Sequence, residues 1–366
     1  MAPRSQDWLQ KIRALDLPDP VRIMNVCGGH ERSIALAGLR SLLPDPIRLI
    51  PGPGCPVCIC PEEDIYQVIQ WALQEPITLV SFGDMLRVPV NAPRGEVRSL
   101  EEAKAAGADV QPIASPRDAL RLALAHPERP VIFHAVGFET TLAPIAALIA
   151  EGLPDNLFLL MSGRLTWPAV AMLLESDNAG LDALIAPGHV STVMGPEEWD
   201  FVATRHGIPT AIAGFTPDSL LAAIHAVLRQ FLDGQPTCEN CYPVAVKPGG
   251  NPVARRCLTE CFNVVDANWR GIGTIPQSGY ALKERYAAHD ARHHFPLLNE
   301  SSRRHVGEMP PGCDCARVVL GRITPPECHI YGSPCTPRTP VGPCMVSDEG
   351  ACRIWWASGV RERAVI

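Results

Sequence analysis

From residue 20 to about 225 the chain repeats one pattern. A short apolar run ends in Gly, Pro or a polar residue, and a stretch with helical periodicity follows. The runs are VRIMNV (21–26), IRLIPG (47–52), ITLVSFGD (77–84), PVIFHAVGFE (130–139), NLFLLMSG (156–163), DALIAPGHV (182–190) and PTAIAGF (209–215). Between them lie amphipathic segments such as EEDIYQVIQWALQ (62–74), LEEAKAAGA (100–108) and SPRDALRLALAH (115–126). A strand with one wet face alternates apolar and polar residues, whereas a continuously apolar run needs cover on both faces. Parallel sheets between layers of helices supply that cover, so the pattern predicts an α/β fold. A break at HPERP, near 127–130, predicts two parallel-sheet lobes, 1–127 and 128–230. Ligands of such sheets gather outside the carboxyl ends of the strands. Those ends are CGGHE, GPGC, FGD, GFETT and PGHVS.

Beyond about residue 235 the apolar runs thin out, Pro and Gly rise, and ten of the fourteen cysteines appear. This predicts a third domain over 231–366, mostly irregular or helical, with a small core of the kind a metal centre stabilises. The net charge of −7 and the lack of a basic stripe argue against a nucleic-acid partner. No window holds the roughly 18–20 apolar residues of a membrane span, and the first fifteen residues carry no apolar signal core. A soluble, cytoplasmic protein is expected. In a reducing compartment clustered thiols point to metal or redox chemistry rather than to structural staples.

Four cysteine groups carry that chemistry. In VCGGHERS (26–33), Cys27 follows a strand and precedes a helix, whose N-terminal dipole favours the thiolate, and His30 is a second ligand or an acid/base partner. GPGCPVCICP (52–61) contains Cys55-x-x-Cys58, a spacing that closes a disulfide or clamps a metal with two sulfurs. Prolines 53, 56 and 61 stiffen the loop. A redox pair ranks above half a zinc site, because zinc requires two more ligands and Cys60 points elsewhere in an extended segment. The C-terminal set is Cys313, Cys315, Cys328, Cys335, Cys344 and Cys352. Within it Cys315, Cys328, Cys335 and Cys352 are spaced C-x12-C-x6-C-x16-C, which suits tetrahedral zinc or an iron–sulfur cluster without naming the metal. Cys238, Cys241, Cys257 and Cys261 read either as a small zinc knuckle or as unrelated surface and core thiols.

Taken in order, VCGGH (26–30), GPGCPVC (52–58), FGDMLRVP (82–89), GADV (107–110), GFETT (137–141), APGHVS (186–191), AGF (213–215), WRGIG (269–273) and MVSDEGAC (345–352) resemble the HypD family of [NiFe]-hydrogenase maturation scaffolds, collinearly over roughly 20–358. The resemblance implies two α/β lobes and a cysteine-rich domain with a [4Fe-4S] cluster. It also implies a HypC-like small chaperone with which one iron is held while it acquires cyanide and carbonyl ligands. A HypE-like protein donates the cyanide, and the hydrogenase large subunit receives the Fe(CN)2CO unit. Carried onto this chain, Cys27 holds the transient iron beside His30, Cys55 and Cys58 exchange electrons with the cluster, and Cys315, Cys328, Cys335 and Cys352 ligate it. Cys344 is a relay thiol or a bystander. Donors for the cyanide and carbonyl ligands would come from strand-end N–H groups and His189. Glu139 would handle protons or ligands, or be a helix-start carboxylate held by the dipole.

The chain departs from the family pattern in three places. Arg32 stands where CGxHxH has its second histidine, Leu142-Ala143-Pro144 follows GFETT, and Cys60 and the 238/241/257/261 group are additions. The expectation is a metallocentre maturation factor with redox activity rather than a conventional turnover enzyme. The alternatives are a cluster-dependent thiol–disulfide oxidoreductase acting on another metalloprotein and a zinc-stabilised binding protein.

Overall fold

A computed structural model describes residues 4–363 except 19, 94, 177–178 and 297–308. It contains two parallel sheets. The first, in the order β2-β1-β7-β8-β9, joins β1 (Val21–Asn25), β2 (Ile47–Pro51), β7 (Ala183–Pro187), β8 (Thr210–Ala213) and β9 (Cys238–Asn240). The second, β4-β3-β5-β6, joins β3 (Thr78–Phe82), β4 (Val110–Ile113), β5 (Val131–Gly137) and β6 (Leu157–Gly163). Every residue of β5, β7 and β8 is buried, which is why these segments read as unbroken apolar runs.

The helices between them follow equally local rules. Glu62–Gln74 buries Ile65, Val68, Ile69, Trp71 and Ala72 on one face and places three acids in its first turn, at the positive end of its dipole. Pro116–Ala125 begins with Ser115 and Asp118 in a capping box and Pro116 in its first turn.

Two expected boundaries are corrected. Val131–Gly137 pairs with Thr78–Phe82 across the expected break at 127/128, so HPERP is an ordinary helix-to-strand connection inside the second lobe. The chain begins the first sheet, leaves it after β2, builds the whole second sheet, and returns for β7, β8 and β9. The 230/231 boundary also moves, because Cys238–Asn240 is an edge strand of the first sheet. Beyond it, helix Pro252–Cys261 packs on the second lobe, followed by the antiparallel hairpin β10 (Phe262–Trp269) and β11 (Gly273–Leu282). Short turns and helices of 309–357 then pack against the cysteine loop in one shared core.

The strand orders place the site. The winding reverses between β1 and β7 in the first sheet and between β3 and β5 in the second. The carboxyl ends at those reversals are Cys27 beside Gly188-His189, and Gly83-Asp84 beside Phe138-Glu139. A crevice outside a reversal point is where open α/β sheets bind ligands.

Candidate metal centre

Cys27 leaves β1 as the N-cap of helix Gly28–Leu36. The loop after β2 crosses this start at backbone distance. Gly28 N–H donates to the Gly54 carbonyl at 3.0 Å, and a β-carbon on Gly54 would lie 2.4 Å from the Cα and N of Cys27. A β-carbon on Gly28 would lie 2.4 Å from that of Glu349. The glycines of CGGH and GPGC are therefore demanded by three segments meeting at one point.

The N–H groups of Gly29 and His30 at the helix start favour the Cys27 thiolate, in the direction the helix dipole leads one to expect. Burial outweighs them, and with the Glu349 carboxylate it pushes the thiol up to about 12. The expectation of a dipole-favoured thiolate is thus reversed in the metal-free chain.

Cys27, Cys55, Cys344, Glu349, Asn25 and Glu31 line one cavity of about 10 Å³, room for a single water molecule. Glu349 is a site residue that sequence reasoning passed over, although MVSDEGAC contains it. Burial and the nearby Asp84 raise its carboxyl to about 7. Asp84, from FGD, accepts from Ser347 Oγ at 2.9 Å and from the Asp348 N–H at 3.1 Å, tying the end of β3 to this loop. On the opposite wall the buried Glu31 carboxylate accepts from Arg40 (2.8 Å), Trp355 Nε1 (2.7 Å) and Asn25 Nδ2 (2.9 Å).

His30 is buried with Nε2 3.0 Å from the Ala213 carbonyl oxygen, which fixes the proton on Nε2. Burial lowers its pKa to about 4, so Nδ1 carries a free lone pair, and that atom is buried without a partner. Phe215, from AGF, packs on His30 and stacks on His189 with centroids 3.9 Å apart. Arg32 is exposed and lines a groove with Asp348 and Arg353 between helices Gly28–Leu36 and Ala351–Ala357.

Cys55 and Cys58 are joined in a disulfide at the start of helix Pro56–Ile59, with Cα atoms 5.3 Å apart, and the Cys58 N–H donates to Cys55 Sγ at 3.2 Å. Both are nearly inaccessible, at 5% and 2%.

The six C-terminal cysteines act on one another, with Cys315 hydrogen-bonded to both Cys313 and Cys344. Cys313 acts electrostatically on Cys328, Cys335 and Cys352. Cys344 is held well below the usual thiol range by S–H···S bonds from Cys315 and Cys352. Backbone N–H groups point at the sulfurs, from Asp314 to Cys328 (3.5 Å) and from Val341 to Cys335 (3.4 Å). An all-sulfur donor set with N–H···S bonds fits an iron–sulfur centre. Among the described residues no three metal-ligating side chains are gathered tightly enough to hold an ion as they stand.

Other expected site residues lie elsewhere. Glu139 accepts from the Thr166 N–H (2.7 Å) and Oγ (2.8 Å), anchoring the start of helix Thr166–Leu174. Cys238 and Cys241 flank the edge strand of the first sheet. Cys257 and Cys261 lie on helix Pro252–Cys261 against the second lobe, where Cys261 donates to the Ala146 carbonyl at 3.2 Å. These four therefore do not form one zinc knuckle. Among the described residues no helix is long and apolar enough to cross a membrane.

The chain is similar to known proteins over nearly its whole length. The HypD family model, described as "Hydrogenase formation hypA family", matches residues 4–359. The chain is 40% identical to the hydrogenase maturation factor HypD of Rhizobium leguminosarum bv. viciae, over 97% of this chain and 93% of that protein. It is 40% identical to HypD of Rhodobacter capsulatus (93% and 90% covered) and 38% identical to HypD of Escherichia coli K12 (92% and 89% covered). With a match over nearly its full length and relatives at this identity, the chain belongs to the HypD family.

Proposed function

We propose that the protein serves hydrogenase maturation as the scaffold on which an Fe(CN)2CO unit is assembled. The observation that carries this reading is the convergence of Cys27, the Cys55–Cys58 disulfide, Cys344 and Glu349 on one cavity at the reversal point of the first sheet. The iron is cargo. Cys27 supplies a soft thiolate once the metal displaces its proton, and Glu349, in the same cavity, accepts that proton. A HypC-like chaperone would complete the iron's coordination, a HypE-like donor would supply cyanide, and the hydrogenase large subunit would receive the product.

The [4Fe-4S] ligands proposed are Cys315, Cys328, Cys335 and Cys352, with Cys313 and Cys344 hydrogen-bonded to Cys315 beside them. A cluster bound there supplies single electrons. Cys344 is hydrogen-bonded to Cys315 and Cys352 and also lines the Cys27 cavity. Electrons reaching Cys55–Cys58 therefore have a thiol intermediary.

The test is infrared spectroscopy of the full chain purified anaerobically with its small partner. Cyanide and carbonyl stretches are expected and should vanish in Cys27→Ser while iron–sulfur absorption persists. Their absence from wild-type preparations made with every partner present would sink the scaffold reading. Thiol–disulfide turnover on a client that survives Cys27→Ser would favour the oxidoreductase instead.

A further inference from the structure

Glu31 and Glu349 line the cavity around Cys27, and the residue next to each of them in the chain lines a different opening. Arg32 and Asp348 stand in the wall of a groove of about 390 Å³ between helices Gly28–Leu36 and Ala351–Ala357. Neighbouring Cα atoms are about 3.8 Å apart, so an occupant of the groove rests one residue from the cavity. The two helices are locked side by side. Trp355 Nε1 donates to Glu31 at 2.7 Å, and the Arg40 guanidinium lies over the Trp355 ring at 4.7 Å. A groove with fixed walls loses little freedom when a partner arrives.

The lining is apolar and carries two cations. Arg32, Ala35 and Leu36 stand at i, i+3 and i+4 on one helix and share a face. Ile354 belongs to the other helix and, at 5% exposed, forms the floor, whereas Leu36 is 79% exposed. Among the described residues Arg32 makes no ion pair, and Arg353 has only the exposed Asp348, 3.8 Å from its Nε. Two guanidinium groups against one carboxylate leave the groove positive on a chain of net charge −7. An apolar groove with unmatched cations fits an amphipathic helix that carries Asp or Glu beside its apolar stripe.

Other occupants fit less well. A two-fold contact between copies sets one patch against itself and would bring Arg32 and Arg353 of both copies together. The chain's own C-terminal segment runs elsewhere, with the Val360 carbonyl accepting from Tyr331 and Arg361 lying beside Gly332. We propose that the groove is the docking site of the small chaperone, received as an acidic amphipathic helix. Its apolar side chain would sit between Leu36 and Ile354, and its carboxylates on Arg32 and Arg353. A partner seated there has its remaining surface beside the cavity, as sharing one iron with Cys27 demands. Arg32 then binds the partner rather than the metal. This rests on the reading of the chain as a scaffold that holds iron jointly with a small partner.

The experiment is isothermal titration calorimetry of the anaerobically purified full chain with its HypC-like chaperone, at low and high salt. Leu36→Asp and Arg32→Glu should each weaken binding about 10-fold or more, and Arg32→Glu should also reduce its salt dependence. Leu124→Asp, at a leucine 61% exposed on helix Pro116–Ala125, is the control and should bind as wild type. Iron–sulfur absorption and urea midpoints verify folding. Benzoylphenylalanine in place of Leu36 should crosslink to an acidic helical segment of the chaperone. No binding by the wild type would overturn the reading of jointly held iron and the groove with it. Wild-type affinity in both groove variants, or a crosslink to a basic or extended segment, would overturn the groove alone. Light scattering of the chain by itself supplies the last outcome. A dimer that Leu36→Asp converts to a monomer would make the occupant a second copy and remove the chaperone from the groove.

Discussion

Replacing Gly54 with Ala would put a β-carbon 2.4 Å from the backbone N and Cα of Cys27, where ordinary contact begins at 3.4 Å. Neither neighbour is a flexible side-chain end, so two main-chain segments must part by about 1 Å. Overpacking of this kind costs about 1–3 kcal/mol. Parting the segments also weakens the bond from Gly28 N–H to the Gly54 carbonyl, worth about 0.5–1.5 kcal/mol. Together these give roughly 2–4 kcal/mol, a drop on the order of 5–10 °C in the transition of the first lobe. The assay is a thermal melt of the anaerobic protein beside the timed alkylation of Cys27, which should speed up as the cavity opens. Gly83→Ala is the control, since a β-carbon there meets nothing within 4 Å, and it should stay within about 0.5 kcal/mol of wild type. If Gly54→Ala melts with Gly83→Ala and alkylates no faster, the interlock does not hold Cys27 in place.

Three further outcomes are expected. Cys315→Ser should lose iron and sulfide while Cys344→Ser keeps both; the reverse result, read by metal and acid-labile sulfide analysis, would overturn the ligand set expected from spacing. Arg40→Met leaves the buried Glu31 carboxylate without its cation and should destabilise by about 3–5 kcal/mol in denaturant melts, with altered Trp355 fluorescence. Burial raises the Glu139 carboxyl from 4.5 to about 7, so the folded chain keeps a proton that the unfolded chain releases. Its stabilising contribution is complete below about pH 4.5 and is lost as pH rises through 7. Glu139→Gln should flatten melting temperature across that window, and an unchanged slope would locate the linkage in another group.

Both parallel sheets were legible because strands covered on two faces leave continuous apolar runs, and β5, β7 and β8 are such strands. Their partition was not, because strand order is fixed by packing between distant segments; nothing in HPERP distinguishes a loop within a lobe from a linker between lobes. The meeting of the CGGH and GPGC segments was legible from their glycines, since close backbone approach leaves that trace. The thiol bonds among Cys313, Cys315, Cys344 and Cys352 were not, because spacing does not say which of these sulfurs meet. Glu349 was missed because an acid in a polar loop resembles a solvated one until Gly28 and Asp84 are seen to enclose it. The dipole argument at Cys27 identified a real effect and overlooked the larger one, desolvation.

The excursion of the chain between β2 and β7 has a consequence during synthesis. Cys27 emerges from the ribosome early, but the strand beside it begins at residue 183 and the carboxylate that closes its cavity is residue 349. At translation speeds of about 5–20 residues per second, the interval is on the order of tens of seconds. Throughout it the nascent chain has a thiol but no assembled pocket. A truncated polypeptide therefore carries the thiol without the cavity, and the enclosed site is a property of the finished molecule alone.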